Sequence, residues 1–215
     1  MNLSFFILLI SLVSLLILPS FFELYWQRIV RISLLITIMY AFLNLVKIRH
    51  WELRVGSFLA LITLCLNILC LEYNNEHIIL ATIFINIVFH AFIIVELLRF
   101  IINSQTVNGN TLSAAACTYL VIGLVWSYIY ALIDFYSPGA ILSIDSNNVF
   151  EYFPQYLYFS FVTITTLGYG DISPTTNIAQ NWVVFEAIVG QFYLAILIAR
   201  LVGLYQPNKI KVKQD

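Results

Sequence analysis

Charge is what this sequence has least of. Only 10% of its 215 residues are Asp, Glu, Lys or Arg, whereas a soluble globular domain carries about 25%. So little polar surface excludes life in water. The 10 basic and 11 acidic residues leave a net charge of −1, so the basic footprint of a nucleic-acid-binding protein is missing. Cys65, Cys70 and Cys117 lie inside apolar segments without metal spacing, and they read as small buried hydrophobes. No basic region opens the chain, and no small-residue cleavage site stands out after the first apolar run. That run therefore reads as a membrane helix rather than a signal peptide. No internal repeat is visible.

Hydrophobic residues make up 61% of the chain, and they come in runs. A membrane-spanning helix needs about 20 mostly apolar residues. Such spans are expected at 3–22, 29–46, 55–71, 78–101, 112–135 and 178–205. The expected fold is all-α, with a re-entrant segment between the last two spans. Pro154 marks the first turn of a short helix there, where a missing N–H costs nothing, and that helix should run over about 154–165. The polar stretch 103–111, NSQTVNGNT, reads as a linker. It divides a four-helix unit, 1–102, from a second unit, 112–206, with a short tail at 207–215.

Lysine and arginine set the orientation. Lys47, Arg49 and Arg54 fall between spans two and three, and Lys209, Lys211 and Lys213 fall in the tail. Both places should be cytoplasmic, with both termini inside. The acidic stretches 72–76 and 134–171 should lie outside. Arg28 and Arg31 fit less well; they could pair with Glu23 or sit at the headgroups.

The re-entrant segment ends in Thr163-Ile164-Thr165-Thr166-Leu167-Gly168-Tyr169-Gly170-Asp171. A potassium ion sheds its water only where closely spaced oxygens replace it, and backbone carbonyls supply such oxygens. Consecutive carbonyls along a pore need backbone angles that Gly168 and Gly170 permit, including φ > 0. Thr166 adds a hydroxyl oxygen. The bland alternative is a tight polar turn between two membrane helices.

From about 111 to 205 the chain resembles the pore domain of tetrameric potassium channels. The resemblance rests on the sequence T-L-G-Y-G at 166–170, the turret string Ser137-Pro138-Gly139-Ala140, and Gly190 in the last helix. With four preceding spans, the layout looks like a six-span channel of bacterial type. It implies a selectivity filter of Thr166, Leu167, Gly168, Tyr169 and Gly170, with K+ held at the first four of these. Tyr158, Phe159, Thr163 and Asp171 would support it. Gly190, Gln191, Leu194, Ala195, Ile198 and Val202 would form the hinge, cavity and gate, although Gly190 also reads as a small residue for close packing. One filter per chain cannot surround an ion, so a homotetramer is implied. K+ is expected as the permeant ion, without another cofactor, in an inner or plasma membrane. Passive conduction rather than catalysis is the expected activity.

The chain departs from the family where many relatives carry two pore-helix tryptophans; here Tyr158 and Phe159 stand. Tyr158 could hydrogen-bond Asp171. Phe159 cannot donate to the Tyr169 hydroxyl, and Thr163 is a possible substitute. Glu186 in the last helix either braces the pore helix or faces water. Arg200 either snorkels to headgroups or contacts a lipid phosphate.

The fourth span offers only Arg99 where a voltage sensor needs about 3–4 charges. Asn86, His90 and Glu96 are expected to form an interhelical seam with Asn44 or Asn67, with proton sensing by His90 as the lesser reading. His50 and His77 read as loop residues. The tail is too short for a soluble ligand-binding module, so a background, weakly voltage-dependent potassium channel is expected. A nonselective cation channel, a potassium-transporter subunit and a non-conducting regulatory subunit remain as alternatives.

Overall fold

Long apolar runs can satisfy their backbone only within themselves, and the chain accordingly forms helices. The computed structural model describes residues 3–22, 24–45, 50–73, 75–142 and 152–204. The helices are α1 (Leu3–Ile17), α2 (Leu24–Leu45), α3 (His50–Glu72), α4 (Glu76–Asn103), α5 (Gly109–Tyr136), α6 (Phe153–Ile164) and α7 (Asn177–Leu204). A 3-10 turn, Leu18–Phe21, follows α1 where Pro19 cannot continue an α-helix. By length and hydropathy α4, α5, α7 and the Trp51–Cys70 stretch of α3 can cross a membrane, whereas α1 has 15 residues.

The expectations for Glu23, Lys47, Arg49, Lys209, Lys211 and Lys213 fall outside the described residues, as do the side chains of Arg28, Arg31, Asn44 and His50.

Helix α5 is the hub, packing on α1, α4, α6 and α7, with α4 its most extensive partner. It begins earlier than the polar linker suggested. Asn108 accepts the N–H groups of Asn110 and Thr111 at 3.0 Å each, and this cap draws Gly109 into the helix. Asn75 does the same for α4 by accepting the His77 N–H at 2.9 Å. His77 is thus helical rather than in a loop, and His50 opens α3.

The polar seam differs from expectation. Asn86 and His90 are fully buried, but both bond backward along their own helix: Asn86 Nδ2 to the Thr82 carbonyl at 2.8 Å, His90 Nδ1 to the Asn86 carbonyl at 2.7 Å. Asn67 likewise bonds the Thr63 carbonyl, and Glu96 pairs with Arg99. Local back-bonding competes successfully because an i−4 carbonyl is always within reach in a helix. Among the described residues, α3 and α4 are instead joined here through Thr82 Oγ1, which meets Cys70 Sγ at 3.1 Å and the Leu66 carbonyl at 3.4 Å. Of the cysteines only Cys117 is buried; Cys70 is half-buried at its contact with α4, and Cys65 is exposed.

On α7, Ala179, Glu186 and Gly190 are buried, at a spacing that puts them on one face. Elsewhere the helix exposes large apolar side chains, among them Ile178, Val184, Phe192, Ile196 and Val202.

Candidate functional site

Between α5 and α6 the chain turns back at Ser137-Pro138-Gly139-Ala140. Ser137 accepts the Ala140 N–H at 2.9 Å, and Gly139 takes φ +81°, the left-handed position of a type II turn after proline. Two residues then form strand β1 (Ile141–Leu142), which pairs antiparallel with β2 (Ser173–Pro174). Buried Asp134 holds this corner: Oδ1 accepts the Ile141 N–H at 3.3 Å and Oδ2 accepts the Tyr156 hydroxyl at 2.6 Å. The segment between α6 and β2 is thereby tied at its outer end.

Helix α6 begins with proline in its first turn, as Pro154 led one to expect. After its last residue, Ile164, the backbone changes character. Thr166, Gly168 and Gly170 have φ of 60°, 59° and 80°, while Leu167 and Tyr169 between them are not in that region. Alternating handedness turns successive peptide planes so that their N–H groups share one side and their carbonyls the other. Glycine accepts this without steric cost. A β-branched threonine does not, and Thr166 stores roughly 1–3 kcal/mol of backbone strain. The sequence pointed to the two glycines but not to Thr166.

The first four N–H donors after α6 are already engaged. The N–H groups of Thr165 and Thr166 bond the carbonyls of Phe161 and Thr163, at 3.2 and 2.9 Å. Those of Leu167 and Gly168 share the Val162 carbonyl, at 2.9 and 3.2 Å. The polarity that 165–168 can still offer is therefore oxygen. The whole stretch 165–171 is exposed.

Three side-chain systems support it. Tyr158 donates to Asp171 Oδ2 at 2.7 Å, which holds the Asp171 carboxyl below its ordinary range. Tyr119 on α5 donates to the Ile164 carbonyl at 3.1 Å, and its ring stacks on Tyr193 of α7, whose hydroxyl donates to the Ala115 carbonyl at 2.7 Å. Behind α6, Glu186 of α7 is fully buried between the Tyr130 hydroxyl and Ser160 Oγ, the latter at 2.6 Å. Glu186 thus sits against α6 rather than facing water. Neither Tyr130, Ser160 nor Tyr119 stood out in the sequence; each is an ordinary polar residue in an apolar run, and only the fold gives it its partner.

Phe159 is buried and packs on the Tyr130 ring at 4.9 Å. Thr163 contributes its carbonyl to the Thr166 N–H. Gly190 meets the end of α6: a Cβ there would lie 2.6 Å from Ile164 Cγ1 and 2.8 Å from the Ile164 carbonyl oxygen. Of the remaining α7 residues singled out, Gln191, Ala195, Ile198 and Val202 are exposed and Leu194 half-buried. They share a face about a third of a turn from the buried one.

Arg200 makes a contact within the chain that the sequence did not suggest. Its Nη2 donates to the Ile102 carbonyl at 2.7 Å and the Ser104 carbonyl at 3.3 Å. A cation is drawn there because the last carbonyls of α4 lack helical partners.

No curated protein and no solved structure matches the chain. Residues 114–206, from early in α5 through α7, match a family model described as an ion channel. The chain is therefore an integral membrane protein in which residues 114–206, the oxygen-rich segment and the helices that frame it, are similar to an ion channel.

Proposed function

We propose that the protein is a potassium-selective channel in which four copies bring their 166–170 segments around one axis. The carrying observation is the backbone of that segment. Its left-handed angles recur at every second residue, and the N–H donors of Thr166, Leu167 and Gly168 are consumed by α6. What remains is a file of oxygens of the kind that can replace a potassium ion's water. Thr166, Leu167, Gly168 and Tyr169 would hold K+, with Thr166 adding its hydroxyl.

A single chain presents one side of such a path, and a closed ring supplies the rest. The exposed apolar faces of α7 fit this reading, since neighbouring copies and lipid would cover them. Gln191, Leu194, Ala195, Ile198 and Val202 would then line the cavity and inner gate. Six spans also fit: α1 with its 3-10 turn reaches about 30 Å, the thickness of a hydrocarbon core. Both ends would lie in the cytoplasm.

Arg99 is already paired, 2.6 Å from Glu96 and 3.3 Å from Glu52, which supports a front unit that moves little charge. A nonselective cation pathway is the second reading. It draws on Phe159, whose ring is spent on Tyr130 and offers no donor to brace the segment.

The test is potassium flux from liposomes holding the purified protein, compared with Gly168→Ala. Flux in the parent, lost in the variant while assembly persists, is the expected result. Equal flux in both would mean that 166–170 does not line the path.

A further inference from the structure

Glu186, Ser160 and Tyr130 come from α7, α6 and α5 and meet in a buried cluster behind the 165–171 segment. Ser160 Oγ lies 2.6 Å from Glu186 Oε1 and 2.7 Å from the Gly123 carbonyl. A serine hydroxyl has one proton, and a carbonyl oxygen has none. An ionised Glu186 accepts only. Ser160 would then serve one of its two neighbours and leave the other oxygen facing its lone pairs at hydrogen-bond distance. Buried polar contacts left in that state are costly.

One arrangement satisfies every contact. The Tyr130 hydroxyl donates to Glu186 Oε2, Glu186 Oε1 donates to Ser160 Oγ, and Ser160 donates to the Gly123 carbonyl. We propose that Glu186 carries a proton and acts as a neutral hydrogen-bond donor that fixes α7 to α6 beneath the pore segment. It is a positioning residue and not a fixed charge near the ion path.

The neighbourhood agrees. Among the described residues, the titratable groups that face Glu186 are Tyr130 and Tyr119, both on α5, and neither brings positive charge. Helix α6 presents only the serine hydroxyl. Asp134 is the contrast: it is equally buried, but its two oxygens receive an N–H and a hydroxyl. The link also has a partner one turn away. Glu186 meets Ser160, and Gly190 meets Ile164, so α7 and α6 are held over two successive turns in parallel register.

This rests on the channel reading only for its consequence in flux. Infrared spectra of the full chain in lipid should show a carboxylic-acid carbonyl band at neutral pH that is missing in Glu186→Gln. An amide donates and accepts where the neutral acid did, so E186Q should conduct within about twofold of the parent. Glu186→Ala strands Tyr130 and Ser160 and should lose about tenfold or more in flux or in assembled protein. Absence of the band overturns the proton whatever the flux. E186Q as impaired as E186A overturns the donor role. A band in a parent that passes no potassium leaves the proton standing and counts against the channel reading alone.

Discussion

Replacing Gly190 with alanine separates a packing contact from a hinge. An added Cβ would sit 2.6 Å from Ile164 Cγ1 and 2.8 Å from the Ile164 carbonyl oxygen. Ordinary contact begins near 3.4 Å, so the helices must part by more than half an ångström. The side-chain carbon could rotate away, but the carbonyl cannot; it is backbone, and Tyr119 holds it at 3.1 Å. Overpacking of this kind costs about 1–3 kcal/mol. Alanine recovers up to about 1 kcal/mol of helix propensity over glycine, so the net loss should be about 0–2 kcal/mol. Because Ile164 immediately precedes Thr165, the displacement passes directly into the strained segment. Flux should therefore fall more than stability does. The assay is thermal unfolding in detergent beside liposome flux, with Gly190→Ala,Ile164→Ala as the partial rescue. A single mutant more stable than the parent with unchanged flux would refute the contact.

Other outcomes follow from the same geometry. Gly170→Ala should abolish flux through backbone strain alone, since an added Cβ meets nothing within 4 Å while φ is +80°; assembly by size exclusion should be unchanged. Thr166→Gly should raise thermal stability by about 1 kcal/mol as the left-handed strain is released, yet impair conduction by removing a hydroxyl oxygen. The Tyr158–Asp171 bond lowers the carboxyl's folded pKa, so its stabilisation is present above the unfolded carboxylate range and disappears as pH falls through the folded value. The gap in thermal stability between the parent and Tyr158→Phe should accordingly be open at neutral pH and close in acid. Open probability should be nearly flat with voltage in both the parent and Arg99→Gln, because a full elementary charge is worth only about 2.3 kcal/mol per 100 mV and Arg99 is tied to two glutamates.

The sequence made the helices legible wherever a long apolar run met a local signal, as at Pro154. The oxygen-rich segment was legible because Gly168 and Gly170 are needed there for conformational reasons that hold in any fold. Helix starts were blurred at Gly109 and His77, where an asparagine cap outweighed a polar, loop-like composition. What could not be read was pairing across distance. Ser160 and Tyr130 stand 26 and 56 residues from Glu186, and Arg200 reaches back 96 and 98 residues to its carbonyls. No periodicity encodes such contacts. A seam between Asn86, His90 and Asn67 did not form for the opposite reason: each found a nearer partner on its own helix. Thr166 was hidden because its residue type argues against the angle it adopts.

The reversal potential of the reconstituted protein in unequal potassium and sodium tests the potassium pathway most directly. If 166–170 forms a file of oxygens suited to K+, current will reverse close to the potassium equilibrium potential, and Gly168→Ala will abolish it. Reversal near zero in opposed potassium and sodium solutions, with robust current, would contradict selectivity and favour the nonselective pathway.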